Sequence, residues 1–507
     1  MNPRTVFALA IVTSLFSCNK NFDKEYWEDK FHQHKEDPSS FEEIGSIDIG
    51  EAGAAEISAF DPKTKRLFVV NNAGINKIDV IDLKDPTTMS VIASIPIDKY
   101  EGAVNSLDVH DGRLAAAIEA GNKQQPGKAV IFSTSDYAEI KVVPVGALPD
   151  MIHYSPDGKY ILTANEGEPN SDYTMDPEGT VSIISVDQGY SVVNVDFSSF
   201  EGQLETLKAK GFRVFGPGAS LSQDVEPEYI TISKDSKTAW VTLQENNAIA
   251  KINLQSKEAT DIFPLGFKEY NIEENGIDPS DEDDQVFFRK VPVFGMYQPD
   301  AIAFLEKGGK PYLFTVNEGD VREYDAFTEN ERIKNIVLDE TVFPDAEDLQ
   351  KDEALGRLNI TKTLGDKDGD GKYESLYSFG ARSFSVWDGD SGDQLFDSRH
   401  NLEEATADAG YYDDGRSDDK GVEPEGIAIG KCGSKEVAFI GMERADAVAV
   451  YDVSFPTYPR LLKILKTGDA PEGILFIDAD DSPVKKSLLV VSSEDDGVVT
   501  VYATSRE

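Results

Sequence analysis

The sequence predicts an all-β fold, a seven-bladed β-propeller of four-stranded blades, on three observations. One pattern recurs seven times: an acidic residue, usually after Pro, opens a short apolar strand, a tight turn follows, and a second β-branched strand ends on another acid. Apolar residues in these segments alternate with a period of two between Gly, Asp, Asn and Pro punctuation, which marks strands and not helices. A further strand follows each copy, as at 180–186, 248–254, 447–453 and 498–502. Self-similarity of this kind is the mark of a repeat architecture, and radial closure protects the sheet edges such units would otherwise expose.

The elements follow in order. The first two copies are the weakest, pairing Glu56 with Asn72, and Asp108 with Glu119 across the Asp111-Gly112 turn. Asp150 to Glu166 turns at Ser155-Pro156-Asp157-Gly158, and Glu228 to Glu245 turns at Lys234-Asp235-Ser236. Asp300 to Glu318, Glu425 to Glu443 and Glu472 to Glu494 complete the set. The stretch 44–49 precedes the first copy and would supply the outer strand missing from the last, so that an N-terminal strand closes the last blade. Between the third and fourth copies, 200–224 carries a short helix over 201–210 and the Gly216-Pro217-Gly218 turn. Between the fifth and sixth, 320–421 holds a strand pair near 376–387 and long acidic loops. Long loops in a compact fold are often functional, and these are expected on one face of the disc.

Composition narrows the function classes. The 507 residues are 40% hydrophobic and 28% charged with Gly 40 and Pro 24, a turn-rich globular mix that excludes collagen, coiled coil and wholesale disorder. Lys+Arg 49 minus Asp+Glu 93 gives −44, which argues against nucleic acid and anionic membrane surfaces as partners. The natural partners of such a body are divalent cations, neutral molecules, or anions met through a bound metal. Cys18 and Cys432 are the two cysteines, too few for a disulfide framework. Arg4, an apolar run over 6–16 and the Leu15-Phe16-Ser17-Cys18 lipobox read as an export signal cut before Cys18, the site of lipid attachment. The organisation expected is therefore a signal peptide over 1–17, a lipidated tether over 18–43 and the propeller over 44–503. That makes a monomeric, exported lipoprotein of the cell envelope, periplasmic or at the cell surface, held to the membrane through its anchor alone.

The repeat also speaks to function. In an antiparallel hairpin the start of the first strand and the end of the second lie at the same end, so both acids of every copy share a face. The first strand of a propeller blade is innermost, which rings the channel mouth with carboxylates at thirteen of fourteen positions, Asn72 excepted. Crowded carboxylates raise one another's pKa unless something positive sits among them, and hard divalent cations with oxygen ligands, calcium above all, are the simplest remedy. The candidate ligands are Glu166, Glu228, Asp300, Glu318, Glu425, Glu443 and Glu472. Each has a competing role as a staple that accepts backbone N–H bonds from the next blade. A second candidate is local: Asp366, Asp368 and Asp370 with Gly371 match the opening of a calcium loop, but position twelve is Tyr377, so Glu374 would have to finish the shell. Arg416 and Lys420 lie among acids in 411–421, and Arg322, Arg382 and Arg444 lie near other copies. Such Arg forks either hold an anion such as phosphate beside a metal or simply neutralise the ring. The chain carries no GxSxG elbow, Walker loop, HExxH or strand-borne GxGxxG. His153 reads as a core residue.

Over roughly 44–502 the chain resembles the choice-of-anchor I domain family, exported propellers related to YVTN repeats. The resemblance rests on Phe215-Gly-Pro-Gly-Ala219, Glu226-Pro-Glu-Tyr-Ile230, Trp240-Val-Thr-Leu-Gln-Glu-Asn246, Gly295-Met-Tyr-Gln-Pro-Asp300, Val316-Asn-Glu-Gly-Asp320, Leu364-Gly-Asp-Lys-Asp-Gly-Asp370, Phe379-Gly-Ala-Arg-Ser-Phe-Ser385 and Arg416-Ser-Asp-Asp-Lys-Gly421. It is similar to mesenchyme-specific cell-surface glycoproteins linked with biomineralisation and to an atypical alkaline phosphatase. Two expectations follow. One is a calcium-binding scaffold or binding module at the envelope, with an envelope partner. The other is a metal-dependent phosphoesterase acting on phosphate esters through calcium or another divalent metal, with Arg382, Arg416 or Arg444 as the catalytic candidates that steady the phosphate. A third reading, glycan binding, would use Tyr173, Tyr297, Tyr324, Tyr411 and Tyr412 as its platform.

Overall fold

The computed structural model describes residues 36–505, so Cys18, the signal segment and the tether through residue 35 lie outside the described residues. Among those described, the chain builds seven four-stranded sheets, one three-stranded sheet and two two-stranded ones. Six of the four-stranded sheets are continuous antiparallel meanders or nearly so, beginning at Ser58, Val104, Pro149, Pro227, Ile302 and Pro424. The seventh combines Pro471–Ile477, Leu488–Ser493 and Val498–Thr504 with the N-terminal strand Phe41–Asp48.

The core lies between sheets and not within one. Each adjacent pair shares its own apolar cluster, as where Leu162 and Val181 meet Val241 and Ala250, or Phe384 and Val386 meet Ile440 and Ala449. The round closes where Leu67 and Val69 of the first sheet pack on Val490 and Val499 of the last. The first strand of each sheet touches the first strand of the next, and Ser58–Asp61 touches Pro471–Ile477, so the inner strands line a central channel. This is a β-propeller. It also explains the near-continuous Val, Ile and Ala runs of the middle strands, which are buried on both faces.

The closing strand pairs Phe41 with Thr504 and Asp48 with Val498, and its register shifts between Glu43 and Gly45. It starts three residues before the predicted 44, because Phe41 is fully buried and sets its ring edge-on to Phe439 at 5.2 Å. Gly45 is needed at the bulge: a Cβ there would stand 2.2 Å from the Pro86 carbonyl oxygen. Just upstream, the Glu36 carboxylate accepts hydrogen bonds from Ser487 N and Oγ and from Thr504 Oγ1, each at 2.8 Å.

Two expectations are corrected. The long insertion lies mostly inside the fifth sheet, between Lys310–Asn317 and Ser383–Asp388, not after it. The strands predicted near 376–387 therefore split: Tyr377–Ser378 joins Phe267–Glu269 and Phe294–Met296 in the three-stranded sheet, while Ser383–Asp388 is the fifth sheet's third strand. Patterning could not reveal this, since an interrupted blade and a blade followed by a long loop read alike until the pairing is known. The insertion shares a small core with the segment before the fifth sheet: its Ile333, Leu358 and Leu376 pack with Tyr270 and Val293. The predicted helix at 201–210 is a 3-10 turn, Ser198–Gln203, leading into the short α-helix Leu204–Lys208.

Phe41→Ala should lower the unfolding free energy by about 3–5 kcal/mol, the usual loss for a fully buried ring. Ile75→Ala, at a side chain 74% exposed, should change it by no more than about 0.5 kcal/mol. Denaturant melts of the two variants beside the parent check the pair.

Candidate cation centre at the channel mouth

Local sequence sets the acids on the channel wall. At Pro149, Pro227, Pro424 and Pro471 the hairpin register shifts directly after the proline, so the acid that follows stands on a bulge, outside the ladder. A bulge of this kind re-aims a side chain. The residues before four of the prolines, Leu148, Gln298, Glu423 and Ala470, have left-handed φ values of 48°, 42°, 49° and 54°. Such backbone costs on the order of 1–3 kcal/mol per residue and persists only where its surroundings hold it. Here the second strand does so, for Leu148, Glu423 and Ala470 accept backbone bonds from Glu166, Glu443 and Glu494 at 2.9, 3.0 and 2.9 Å.

The outcome is a cavity of about 210 Å³ lined by Asp150, Glu166, Glu228, Asp300, Glu318, Glu425 and Glu472 with Asn105 and Gln244. Met151 and Tyr229 line both this chamber and a cavity of about 510 Å³ at the other end of the channel. Two members of the predicted ring move. Asp108 pairs across from Ala115, three residues further into its strand, and lines the opposite cavity, where it meets His153 Nδ1 at 2.9 Å. Asn105 holds the mouth position instead. Glu245 is one residue past the register position, which belongs to Gln244. Asn72, also at the mouth end, donates to Glu56 at 2.9 Å and to the Val104 carbonyl of the next sheet at 2.8 Å, so the staple between the first two sheets is Asn72, held by Glu56.

Oxygen atoms of Asp300, Glu318 and Glu425 lie within 4.8 Å of one another, and so do those of Glu318, Glu423 and Glu443. Glu318 joins the two groups. It accepts from Lys420 Nζ at 2.5 Å and from Gln244 Nε2 at 3.1 Å. Lys420 also reaches Glu423 at 3.0 Å, and Arg416 donates to Glu423 through Nε at 3.0 Å and Nη2 at 2.5 Å. Arg444 Nη2 pairs with Glu443 at 2.8 Å. The deeper carboxylates have no such relief: Oε2 of Glu228, Glu425 and Glu472 is buried with no hydrogen-bond partner among the described residues.

Burial first, then mutual repulsion, pushes the carboxyls of Glu166, Glu228, Asp300, Glu425 and Glu472 well above the usual range. The same causes hold Asp150 and Glu443 at about 7. Burial also raises Glu56 to about 8. Lys420 is held well above its ordinary value by Glu318 and Glu423 although burial opposes it. The mouth is thus an oxygen-rich, recessed chamber with a net negative field, a donor set suited to a hard cation.

The other predicted residues are dispersed. Asp366, Asp368, Asp370 and Glu374 bring carboxylate oxygens within 4.8 Å of one another in the fifth-sheet insertion, and Asp366 accepts from Gly369 N at 2.8 Å and Gly371 N at 3.0 Å. Arg382 is 1% exposed and donates to the carbonyls of Asp278, Ser417 and Asp419 at 2.9, 2.7 and 3.0 Å, so it braces backbone away from the channel. Arg322 is likewise buried, on Asp224 and Glu226. Arg416 and Arg444, with Tyr411, Tyr412 and Lys466, line an open cleft of about 730 Å³ beside Glu443. Tyr173 and Tyr324 meet edge-on at 5.3 Å elsewhere, and Tyr297 is buried, so the five tyrosines form no common platform. Sequence reasoning did not choose Glu423 as a site residue, although it anchors Lys420, Arg416 and Arg444. Its signal was the run Lys420-Gly-Val-Glu-Pro-Glu425, which puts two acids on either side of one bulge-forming proline.

With this geometry goes a family. The model of the choice-of-anchor I domain matches residues 56–456, and the chain belongs to that family. Among curated proteins it is similar to Gigasin-3a of Magallana gigas, 30% identical over 188 residues that cover 30% of this chain and 66% of the relative, just under two thirds of its length. Solved structures of related shape include Kuenenia stuttgartiensis hydrazine synthase, with 13% identity, a TM-score of 0.49, and coverage of 90% of this chain and 97% of that one. The WD40 domain of Toxoplasma gondii coronin has 8% identity and a TM-score of 0.49, and the match covers 92% of this chain and 87% of that one. No helix among the described residues is long and apolar enough to cross a membrane.

The raised carboxyls fix the sign of a pH effect. Between about 4.5, the ordinary Glu value, and about 8, the folded chain holds protons that the unfolded chain has lost. Stability therefore falls as pH rises through that window. Protein stripped with a chelator should lose melting temperature steadily from about pH 5 to pH 8, and added calcium should flatten the slope. A slope that is flat or rising in the stripped protein would contradict this account of the mouth.

Proposed function

We propose that this chain is an exported, lipid-anchored propeller of seven blades that binds divalent cations, calcium above all, and serves the cell envelope as a binding or scaffold module. In this reading the seven four-stranded sheets are the blades, Cys18 carries the lipid, and the body works as a monomer. Asp300, Glu318 and Glu425 would hold the cation at the mouth, with Glu166, Glu228 and Glu472 around it and Glu443 on the outer group. Asp366, Asp368, Asp370 and Glu374 would hold a second one. The observation that carries the reading is the convergence of three carboxylates in a recessed chamber where Glu228, Glu425 and Glu472 each keep a buried oxygen without a donor. Membership of a family named for its varied anchors supports the placement outside the cytoplasm.

Soluble protein over 19–507, stripped and titrated with calcium, should bind tightly and gain melting temperature. Asp300→Asn with Glu425→Gln should weaken the mouth site at least tenfold while leaving the Asp366 loop unaffected. Binding isotherms of parent and variant decide it, and a parent that takes up no calcium ends the reading.

One observation favours a second reading, a metal-dependent phosphoesterase. The group of Glu318, Glu423 and Glu443 borders the open cleft that carries Arg416, Arg444 and Lys466, so a cation there would face solvent beside guanidinium groups able to receive phosphate oxygens. Calcium-loaded protein should then hydrolyse p-nitrophenyl phosphate, and Arg444→Ala should lower turnover at least tenfold with the fold intact. No turnover by the loaded parent from pH 7 to 10 removes this reading.

A further inference from the structure

A second concentration of unsatisfied polar groups lies away from the channel, where the segment after the three-stranded sheet's first strand meets the loop that follows the helix Asn401–Ala409. Asp278 is fully buried. Its Oδ2 accepts from Phe287 N at 3.0 Å, while Oδ1 has no hydrogen-bond partner among the described residues. The Asp414 carboxyl meets it there, and Asp414 Oδ1 is also buried and unpartnered. Two facing carboxylates with no donor between them need a proton or a cation.

The surroundings favour the cation. The hydroxyl of Tyr412, in the electrostatic range of both aspartates, is buried without a partner. Glu403 is fully buried with neither oxygen hydrogen-bonded, and its nearest cation is Arg382 Nη1 at 3.6 Å. The remaining bases nearby are committed: Arg289 to Asp283 at 2.8 Å, Arg357 to Asp281 at 2.7 Å and Lys268 to Asp397 at 2.9 Å. Asp278, Asp414 and Glu403 against Arg382 leave an excess of two negative charges. Two charges of uncompensated carboxylate, on the fully buried Asp278 and the half-buried Asp414, match one hard divalent ion.

We infer that Asp278 and Asp414 form a cation site of the calcium class, separate from the channel mouth and from the Asp366 loop, with the Tyr412 hydroxyl turned toward it. Its effect would be structural. Asp414 belongs to the 3-10 turn Asp414–Arg416, and the loop that continues from it delivers Arg416 to Glu423 and Lys420 to Glu318. A cation joining Asp414 to Asp278 fastens that loop to the segment that follows Phe267–Glu269 and so holds the two basic residues over the mouth.

The test uses terbium as the probe, in crystals of the 19–507 protein, with anomalous scattering as the direct readout, and calcium stoichiometry in solution beside it. A terbium peak between the Asp278 and Asp414 carboxyls is expected, as is loss of one calcium equivalent in Asp278→Asn/Asp414→Asn. The half-buried Asp414→Asn alone covers the case in which the double variant does not fold, and should weaken one site at least tenfold. An unoccupied Asp278–Asp414 gap in crystals with terbium bound elsewhere, or unchanged stoichiometry in both variants, overturns the inference. Because Asp300→Asn/Glu425→Gln removes the mouth site and leaves this one, failure here and failure at the mouth are distinguishable.

Discussion

Everything in this protein depends on closing a round of sheets, each of which buries its faces only against its neighbours. A sheet of this kind has no core of its own: Leu162 needs Val241, Val386 needs Ile440, and the first sheet needs the last. Pairing Phe41–Asp48 with Val498–Thr504 completes that dependence with main-chain hydrogen bonds and the Phe41 ring. Closure then forces the first strands inward, and the acids at their bulges have nowhere to point but the channel. The charge problem at the mouth is thus a consequence of the architecture meeting this particular repeat.

The chain meets that problem in two ways. Toward the solvent it brings side-chain cations, most of them from the loop after the helix Asn401–Ala409: Lys420 and Arg416 gather Glu318 and Glu423, and Arg444 takes Glu443. Deeper in, Glu228, Glu425 and Glu472 are left with unpartnered oxygens, and no basic side chain among the described residues lines the cavity. Desolvated carboxylates of this kind either keep their protons or take a metal, and which one prevails depends on pH and on free cation. On the proposed reading, proton and metal would compete there for the same oxygens.

Much of this was legible in the residues. Period-two strands, the Pro-acid openings and the Asp-Gly turns pointed to the repeated sheets and to the shared face of the carboxylates. What could not be read was register. Asp108 looks like a ring acid in the sequence, yet a shift between Val104 and Ser106 gives the mouth to Asn105 and sends Asp108 to the far end. Gln244 and Glu245 differ by one position, and only the pairing of Ile230 with Val241 chooses between them. Arg382 sits in a family motif and reads as an anion binder, but its partners are three backbone carbonyls brought together by tertiary folding. The fifth sheet's interruption was hidden for the same reason: an insertion is defined by which strands flank it in space.

The clasp between Phe41–Asp48 and Val498–Thr504 also fixes a schedule. The first described strand to be synthesised has its partner in the last, with nearly the whole described chain between them. Each intervening sheet but the interrupted fifth can form from local hairpins as it emerges, since its contacts are near in sequence, while the last sheet stays incomplete until the C-terminal segment arrives. Until then Phe41–Asp48 has no strand to pair with, the strand Leu488–Ser493 has nothing on its outer side, and the apolar face of the first sheet stays open at Leu67 and Val69. The nascent chain is therefore most exposed to mispairing through its first and last sheets, and the step that completes the disc is the one that ends that exposure.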